Sequence, residues 1–370
     1  MELDELLTIM VEKDASDLQI KVGRPPLYRI HGAMTPLVDY PSVTDEEAEG
    51  LAFSMMNQMQ LEKFNSRRWT DVGYGLKQNR FRINIFHNRG AIAISVRKIS
   101  LKIPTIAELG LPEALKEIVK FPTGLILVTG PTGSGKSTTL ATLINEINET
   151  RACHIATVED PVEYAFSDKK ATISQREVGA DVVSMDDALP SLLRQDPDVI
   201  LVGEMRDRET VEFVLKAAEA GHLLLSTLHT SSAAATIDRI LSYFPRDSHH
   251  QIQIELAMTL RATISQRLVK TADGKGRAAA LEIMVGSPTI RKAIEKGEFS
   301  SIYKTISESV HFYKMQTLEQ ALVALIAYGV ITVDDATANA NNPDVLRALL
   351  HELGLKKKEG EKEEILISEE

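Results

Sequence analysis

The sequence predicts an α/β protein in three parts: a small α+β unit, a larger domain on a parallel sheet, and a helical C-terminal extension. Three patterns carry this reading. Within residues 1–100, apolar residues alternate at period two, as in Phe81, Ile83, Ile85 and in Ile92, Ile94, Val96, which is the spacing of a half-buried strand. From residue 124 onward continuous apolar runs such as Leu125-Ile126-Leu127-Val128 recur between helical segments, and strands buried on both faces read this way in a parallel sheet. Beyond about residue 287 helical spacing takes over almost completely.

In the first unit, Leu3, Leu6, Leu7 and Met10 fall on one helical face, and strands follow at 18–22 and 27–30 around the turn Gly23-Arg24-Pro25-Pro26. Thr44 with Glu47 three residues on has the form of a capping box and opens a helix expected to run through Asn57. Residues 101–112, with Pro104 and Pro112, read as a linker. The core domain is expected over 113–287, with buried strands at 124–128, 154–158, 199–202 and 223–227 and helices at 136–149, 185–194, 208–220 and 249–268. Asp273-Gly274-Lys275-Gly276 is a tight turn. Helices are expected at 288–296, 299–311, 316–328, 332–338 and 343–353, making a C-terminal helical region over 288–355. The mixed charge run of 356–370 reads as a solvated, disordered tail.

Composition narrows the function. The 370 residues carry 44% apolar and 25% charged residues and a net charge of −10, the composition of a globular protein. A main partner of DNA or RNA calls for a basic face, so the acidic balance argues for no nucleic acid. The single cysteine, Cys153, excludes an internal disulfide and a cysteine zinc site, and it reads as a small buried apolar residue in a reducing compartment. The opening Met1-Glu2-Leu3-Asp4-Glu5 lacks the basic start of a signal peptide. No run of about 18 apolar residues occurs, so no spanning helix is expected. A cytoplasmic protein that reaches a membrane only through a partner is the expectation.

The strongest chemical signal is Gly130-Pro131-Thr132-Gly133-Ser134-Gly135-Lys136-Ser137, followed by Thr138, between an apolar strand and a helix. Glycines let the backbone curl so that successive N–H groups point at phosphate oxygens, and the helix adds its positive end. Lys136 then reaches the β and γ phosphates and Ser137 ligates Mg²⁺. Taken alone this P-loop means that ATP or GTP is bound. A second signal is the strand Val199-Ile200-Leu201-Val202 ending in Gly203-Glu204. Strand ends of a parallel sheet collect at the ligand edge, so Glu204 is expected beside the P-loop. Many nucleotide hydrolases have an aspartate where this chain has Gly203, so Glu204 is expected to help hold the metal and its waters. Val158-Glu159-Asp160-Pro161-Val162-Glu163 ends another strand with three acids close together. Mutual repulsion asks for a metal or arginines to offset them. Glu163 is the choice for the base that orients water, Glu204 the alternative, and Glu159 and Asp160 order the site.

His229 ends the strand Ser226-Thr227-Leu228 and suits a γ-phosphate sensor, whereas His222 at its other end suits a structural or interface role. The first unit offers Arg80, Arg82, Arg89 and Arg97. Arg82 lies between Phe81 and Ile83 and so faces away from the core, where it serves a solvated sheet face or a phosphate.

These stretches, in this order, resemble the secretion-type ATPases that drive type IV pili and type II secretion, over about residues 1–350. Glu159-Asp160-Pro161-Val162-Glu163 is similar to that family's Asp box, Gly203-Glu204-Met205-Arg206-Asp207 to its atypical second nucleotide motif, and Ala220-Gly221-His222 through His229-Thr230 to its His box. Gly203 is then a family trait. The resemblance implies an N-terminal PAS-like α+β domain joined to a RecA-like P-loop domain, with ATP and Mg²⁺ as cofactors. It implies a homohexameric ring with ATP between the two domains and near the neighbouring subunit, Arg82 and Arg97 touching its phosphates, and docking on a PilC-like inner-membrane pilus platform protein.

The retraction branch is matched most closely, through the short first unit, His31-Gly32-Ala33-Met34 and Phe81-Arg82-x-Asn84. Assembly ATPases usually carry a four-cysteine zinc loop and a longer N-terminal region. Pro288-Thr289-Ile290-Arg291-Lys292-Ala293-Ile294 resembles the Ala-Ile-Arg-Asn-Leu segment needed for retraction, departing from it at Thr289 and at Lys292-Ala293. Gly-Met-Gln-Thr-Leu of the branch appears here as Tyr313-Lys314-Met315-Gln316-Thr317-Leu318. A motor powering pilus retraction and twitching motility is the reading, with a PilU-like accessory paralogue as the alternative form or as a partner. A nucleic-acid translocase on a related core would require a basic, aromatic-bearing surface. A scaffold without turnover is opposed by intact Lys136, Glu163 and Glu204.

Overall fold

The computed structural model describes residues 2–354 other than 31, 39, 78, 100 and 101; the tail at 356–370 and His31 therefore lie outside the described residues. The chain forms two compact units. One comprises Met1–Ile103 together with Val158–Ser167 and Gln175–Ala188, and the other comprises Pro104–Thr157, Asp168–Ser174 and Leu189 onward.

The first unit opens with α1 (Leu3–Glu12), whose Leu3, Leu6, Leu7 and Met10 are all buried, as their helical spacing requires. The strands β1 (Asp17–Lys21), β2 (Leu27–Ile30) and β3 (Ala33–Pro36) follow. The helices α2 (Asp45–Met55) and α3 (Gln58–Arg67) come next, and then β4 (Trp69–Leu76), β5 (Asn79–Asn88) and β6 (Ala91–Ile99). The box at the start of α2 is formed: Glu47 N–H donates to Thr44 Oγ1 and Thr44 N–H to Glu47 Oε2. Helix α3 is a separate element with its own box, in which Asn57 and Gln60 exchange the same two bonds. The strands make a six-stranded sheet in the order β3-β2-β1-β6-β5-β4. Phe81, Ile83 and Ile85 point into the core between this sheet and the helices.

The second unit contributes α4 (Ala114–Ile118), β7 (Gly124–Thr129), α5 (Lys136–Thr150) and β8 (His154–Glu159), the last ending in the first unit. After β9 (Thr172–Glu177) and α6 (Met185–Leu192) come β10 (Val199–Val202), α7 (Arg208–Glu219), β11 (Leu223–Leu228), α8 (Ala233–Leu241) and α9 (His249–Thr259). The hairpin β12 (Leu260–Lys270) and β13 (Arg277–Val285) precedes α10 (Pro288–Lys296), α11 (Ser300–Glu308), α12 (Val310–Tyr313), α13 (Leu318–Ala327), α14 (Val333–Asn339) and α15 (Pro343–Glu352). The seven-stranded sheet has the order β13-β12-β7-β11-β10-β8-β9. β12, β7, β11 and β10 run parallel in turn, and β13 is antiparallel to β12. Every residue of β7, β10 and β11 is buried, which explains their unbroken apolar runs.

One expected element is different. The helix read over 249–268 stops at Thr259, and β12 begins at Leu260. Its burial is nearly continuous, so its side chains show no period of two, and apolar pattern alone cannot tell such a strand from a buried helix. Pairing with β7 and β13 decides the matter. Cys153 is half-buried rather than fully buried, and burial pushes its thiol above the ordinary value, consistent with an inert packing residue.

Candidate active site

The P-loop follows β7 without a break. Gly130, Gly133 and Gly135 have φ of 149°, 78° and 86°, a region that glycine alone enters freely. A side chain at Gly130 would strike the Gln266 carbonyl and the Ser134 hydroxyl, so the curl also requires bare backbone for space. Gln266, on β12, clamps the loop from beneath: its amide donates to the Ser134 carbonyl at 2.7 Å and accepts from the Thr139 hydroxyl at 2.6 Å. Thr129 bonds Ser265 at 2.9 Å on the same strand. Among the described residues the buried Ser134 hydroxyl has no hydrogen-bond partner. Ser137 and Thr138 stand half-buried in the first turn of α5, and Pro131, Thr132 and Gly133 are exposed.

Sheet order explains what gathers around the loop. β11 neighbours β7, and β10 neighbours β11. Neighbouring strands lie about 4.8 Å apart, so residues just past the ends of these three strands are within side-chain reach. Lys136 Nζ lies 2.8 Å from the Gly130 carbonyl, 3.1 Å from that of Pro131 and 3.3 Å from His229 Nδ1. His229 Nε2 is 3.1 Å from Glu204 Oε1, and Arg206 Nε donates to Glu204 Oε2 at 3.0 Å. An ammonium has only donors. His229 Nδ1 is therefore the acceptor, and its Nε2 faces the Glu204 carboxylate. Lys136, His229, Glu204 and Arg206 form one row of close polar contacts across three strand ends. Thr227 Oγ1 donates to the Gly203 carbonyl at 2.8 Å and Met205 N–H to the Thr227 carbonyl at 3.2 Å, fixing the turn that carries Glu204. His222, at the other end of β11, is 2.7 Å from the Pro197 carbonyl, a structural contact.

The remaining sequence-derived residues belong to the first unit. Glu159 is buried and accepts from Gln175 at 3.0 Å, whereas Asp160 and Glu163 are exposed. Arg82 and Arg97 stand directly opposite each other on β5 and β6. The register continues on both sides: Arg97 faces Asp17, Asp17 faces Arg29, and Arg82 faces Gly73. One row across the sheet therefore reads Arg29, Asp17, Arg97, Arg82, Gly73. Asp17 is shared by Arg97 at 2.9 Å and Arg29 at 3.4 Å, and Asp71 lies 3.8 Å from Arg82. Like charges directly opposite on a sheet repel, and Asp17 and Asp71 offset the facing pair of Arg97 and Arg82.

Sequence reading assigned no role to Gln266, Gln175, Glu177 or Arg206. Gln266 lies in β12, whose apolar pattern reads as the end of a helix. Glu177 is buried, its carboxylate 2.8 Å from Arg80 and 3.2 Å from Val162 N–H, and no local pattern announces such a long-range pair.

Residues 75–304 match the family model described as type II/IV secretion system protein. The chain is 42% identical over 346 residues to the type IV pilus retraction ATPase PilT of Pseudomonas aeruginosa, covering 93% of this chain and 99% of that one. It is 38% identical over 351 residues to the type IV pilus ATPase PilU of the same organism, covering 95% and 91%. Among solved structures, the pilus retraction motor PilT with bound ADP superposes with a TM-score of 0.86 at 42% identity, over 94% of this chain and 99% of that one. The fold is accordingly a small N-terminal PAS-like α+β domain joined to a RecA-like P-loop domain with a helical C-terminal extension. With its P-loop, its strand-end carboxylate and its likeness over nearly the whole length, the chain is an ATPase of the type II/IV secretion system protein family.

Proposed function

We propose that this ATPase powers retraction of a type IV pilus, working as a homohexamer in the cytoplasm and docked peripherally on a PilC-like inner-membrane platform protein. The observation that carries the catalytic reading is the chain Lys136–His229–Glu204. The retraction reading is supported by the likeness to PilT over 99% of that protein. A PilU-like paralogue is a candidate partner.

In this reading the P-loop N–H groups of Gly130 to Thr138 bind the phosphates of ATP and Lys136 neutralises charge on the β and γ groups. His229, oriented by Glu204, holds the Lys136 ammonium and senses the γ-phosphate. Glu163 accepts the proton of the attacking water as the oxygen bonds to γ-phosphorus. The bond from γ-phosphorus to the β–γ bridging oxygen breaks, and ADP leaves with that oxygen. Glu204 is the alternative base. Arg82 and Arg97 offset the charge that develops on the γ-phosphoryl oxygens. Among the described residues no group of three or more acidic, histidine or cysteine side chains gathers as a metal cage. Mg²⁺ is commonly held by phosphates, waters and one or two protein groups, and here Ser137 and Glu204 would hold it. When bound, the ion would draw charge from the phosphate oxygens.

The test is a retraction assay in a strain deleted for this protein, complemented with wild type or Lys136→Ala. Wild type is expected to restore retraction, and Lys136→Ala to restore neither retraction nor, when purified, ATP turnover. Normal hydrolysis by Lys136→Ala would sink the catalytic reading. Failure of the wild type to restore retraction unless a paralogue is also present would assign it the accessory role.

A further inference from the structure

The segment bearing Glu163 is held from outside itself. Gln175 Nε2 donates to Glu159 Oε1 at 3.0 Å and to the Tyr164 carbonyl at 2.9 Å, and Gln175 Oε1 accepts from Phe166 N–H at 2.8 Å. Val178 N–H donates to the Glu159 carbonyl at 3.0 Å. Glu177 Oε2 accepts from Val162 N–H, the residue next to Glu163, at 3.2 Å. These bonds tie residues 159–166 down on both sides of Glu163.

Glu177 has a second attachment. The oxygen that accepts from Val162 also takes Arg80 Nη2 at 2.8 Å, and the Glu177 side chain is 6% exposed. Arg80 lies on β5, two residues before Arg82, so both project from one face of the sheet. The carboxylate presses so closely on β4 that a side chain at Gly73 would collide with it. Gly73 is the residue directly opposite Arg82. Gly73 has ordinary backbone geometry, absent from the positive-φ positions, so the requirement for glycine there is space and not conformation. A buried carboxylate with a charged partner and a backbone donor is strongly held, and truncating it leaves Arg80 and Val162 N–H wanting an acceptor.

We infer that Glu177 is a positioning residue for hydrolysis: with Arg80 and Gly73 it fixes the Glu163 segment to the arginine-bearing sheet. The carboxylate that acts on water and the arginines that receive phosphate charge are thereby carried by one body at a set spacing. This inference rests on Glu163 being the base.

Steady-state ATP hydrolysis and nucleotide affinity, measured on the full chain, test it. A displacement of about 1 Å in a catalytic group costs on the order of 10²-fold in rate. Glu177→Gln, which gives up the charge held by Arg80, is expected to lower kcat by about 10-fold to 10²-fold, leaving the affinity for a fluorescent ATP analogue within about twofold, well below a tenfold change of 1.4 kcal/mol. Gly73→Ala keeps every charge and pushes the carboxylate aside, so it is expected to show the same split even if Glu177→Gln folds poorly. In a Glu163→Gln background, Glu177→Gln is expected to add almost nothing, because groups acting as a unit are not additive. Wild-type kcat in both Glu177→Gln and Gly73→Ala, with Glu163→Gln inactive, overturns the inference while leaving Glu163 as base. Equal losses of kcat and affinity, additive with Glu163→Gln, overturn it in favour of a general packing role. Near-normal hydrolysis by Glu163→Gln alone overturns the base assignment and the inference with it.

Discussion

Glu282 on β13 is 2% exposed and accepts from Ala233 N–H at 2.7 Å, at the first turn of α8. Burial lifts its carboxyl to about 7, with the Ala233 bond opposing, the Glu319 charge adding and Arg267 opposing. Glu319 is itself fully buried and engaged by Tyr303 Oη at 3.0 Å and Asn342 N–H at 2.8 Å. Between the ordinary value of 4.5 and about 7 the folded chain keeps a proton that the unfolded chain releases. Stability from this group is thus complete below pH 4.5, falls as pH rises through that window, and levels off above pH 7. At 1.36 kcal/mol per unit the loss is about 3 kcal/mol at pH 8 and under about 1 kcal/mol at pH 5. Glu282→Gln removes the ionisation but keeps an acceptor for Ala233. Urea unfolding of wild type and variant at both pH values should show the variant's relative stability higher at pH 8 than at pH 5 by about 2 kcal/mol. Any cost of burying the amide is common to both conditions and cancels. A difference that does not change with pH, or that changes in the opposite sense, would refute the argument.

Three further outcomes follow from the site. Gln266→Leu strands the Ser134 carbonyl and the Thr139 hydroxyl, so it should lower stability by about 1–3 kcal/mol and weaken ATP binding, read by calorimetric titration. Arg82→Ala and Arg97→Ala should each reduce kcat by about 10-fold or more without lowering the melting temperature, because Arg97 is 72% exposed in its pair with Asp17 and such pairs add little stability. Replacing Ile290 and Arg291 should impair retraction more than hydrolysis, and equal loss of both would count against a coupling surface.

Much of the second unit can be read from the sequence because each candidate side chain sits just past an unbroken apolar strand. Lys136, Glu204 and His229 needed only the rule that parallel strand ends share an edge. The rule does not give strand order. That β11 stands between β7 and β10, putting His229 between Lys136 and Glu204, is a property of the fold. The first unit was less legible. The outward direction of Arg82 follows from its neighbours, but its place in a row with Arg97, Asp17 and Arg29 depends on register between strands as far apart as residues 17 and 97. Glu177 and Gly73 are joined only by tertiary contact, and a glycine kept for space leaves no signature in the local pattern.

The reversal of β13 has a mechanical consequence. Thr129, at the end of β7, delivers the P-loop, whereas Leu260 pairs with Leu125 near its beginning and Arg261 bonds the Thr123 carbonyl just before it. β13 runs back to that beginning, where Gly286 N–H meets the Arg261 carbonyl and α10 departs with Ile290 and Arg291. The six residues of β7 span about 20 Å. The phosphate loop and α10 are thus mounted at opposite ends of one strand; if α10 is the output of the proposed motor, the stiff sheet between them, and not a flexing loop, is what joins fuel to output.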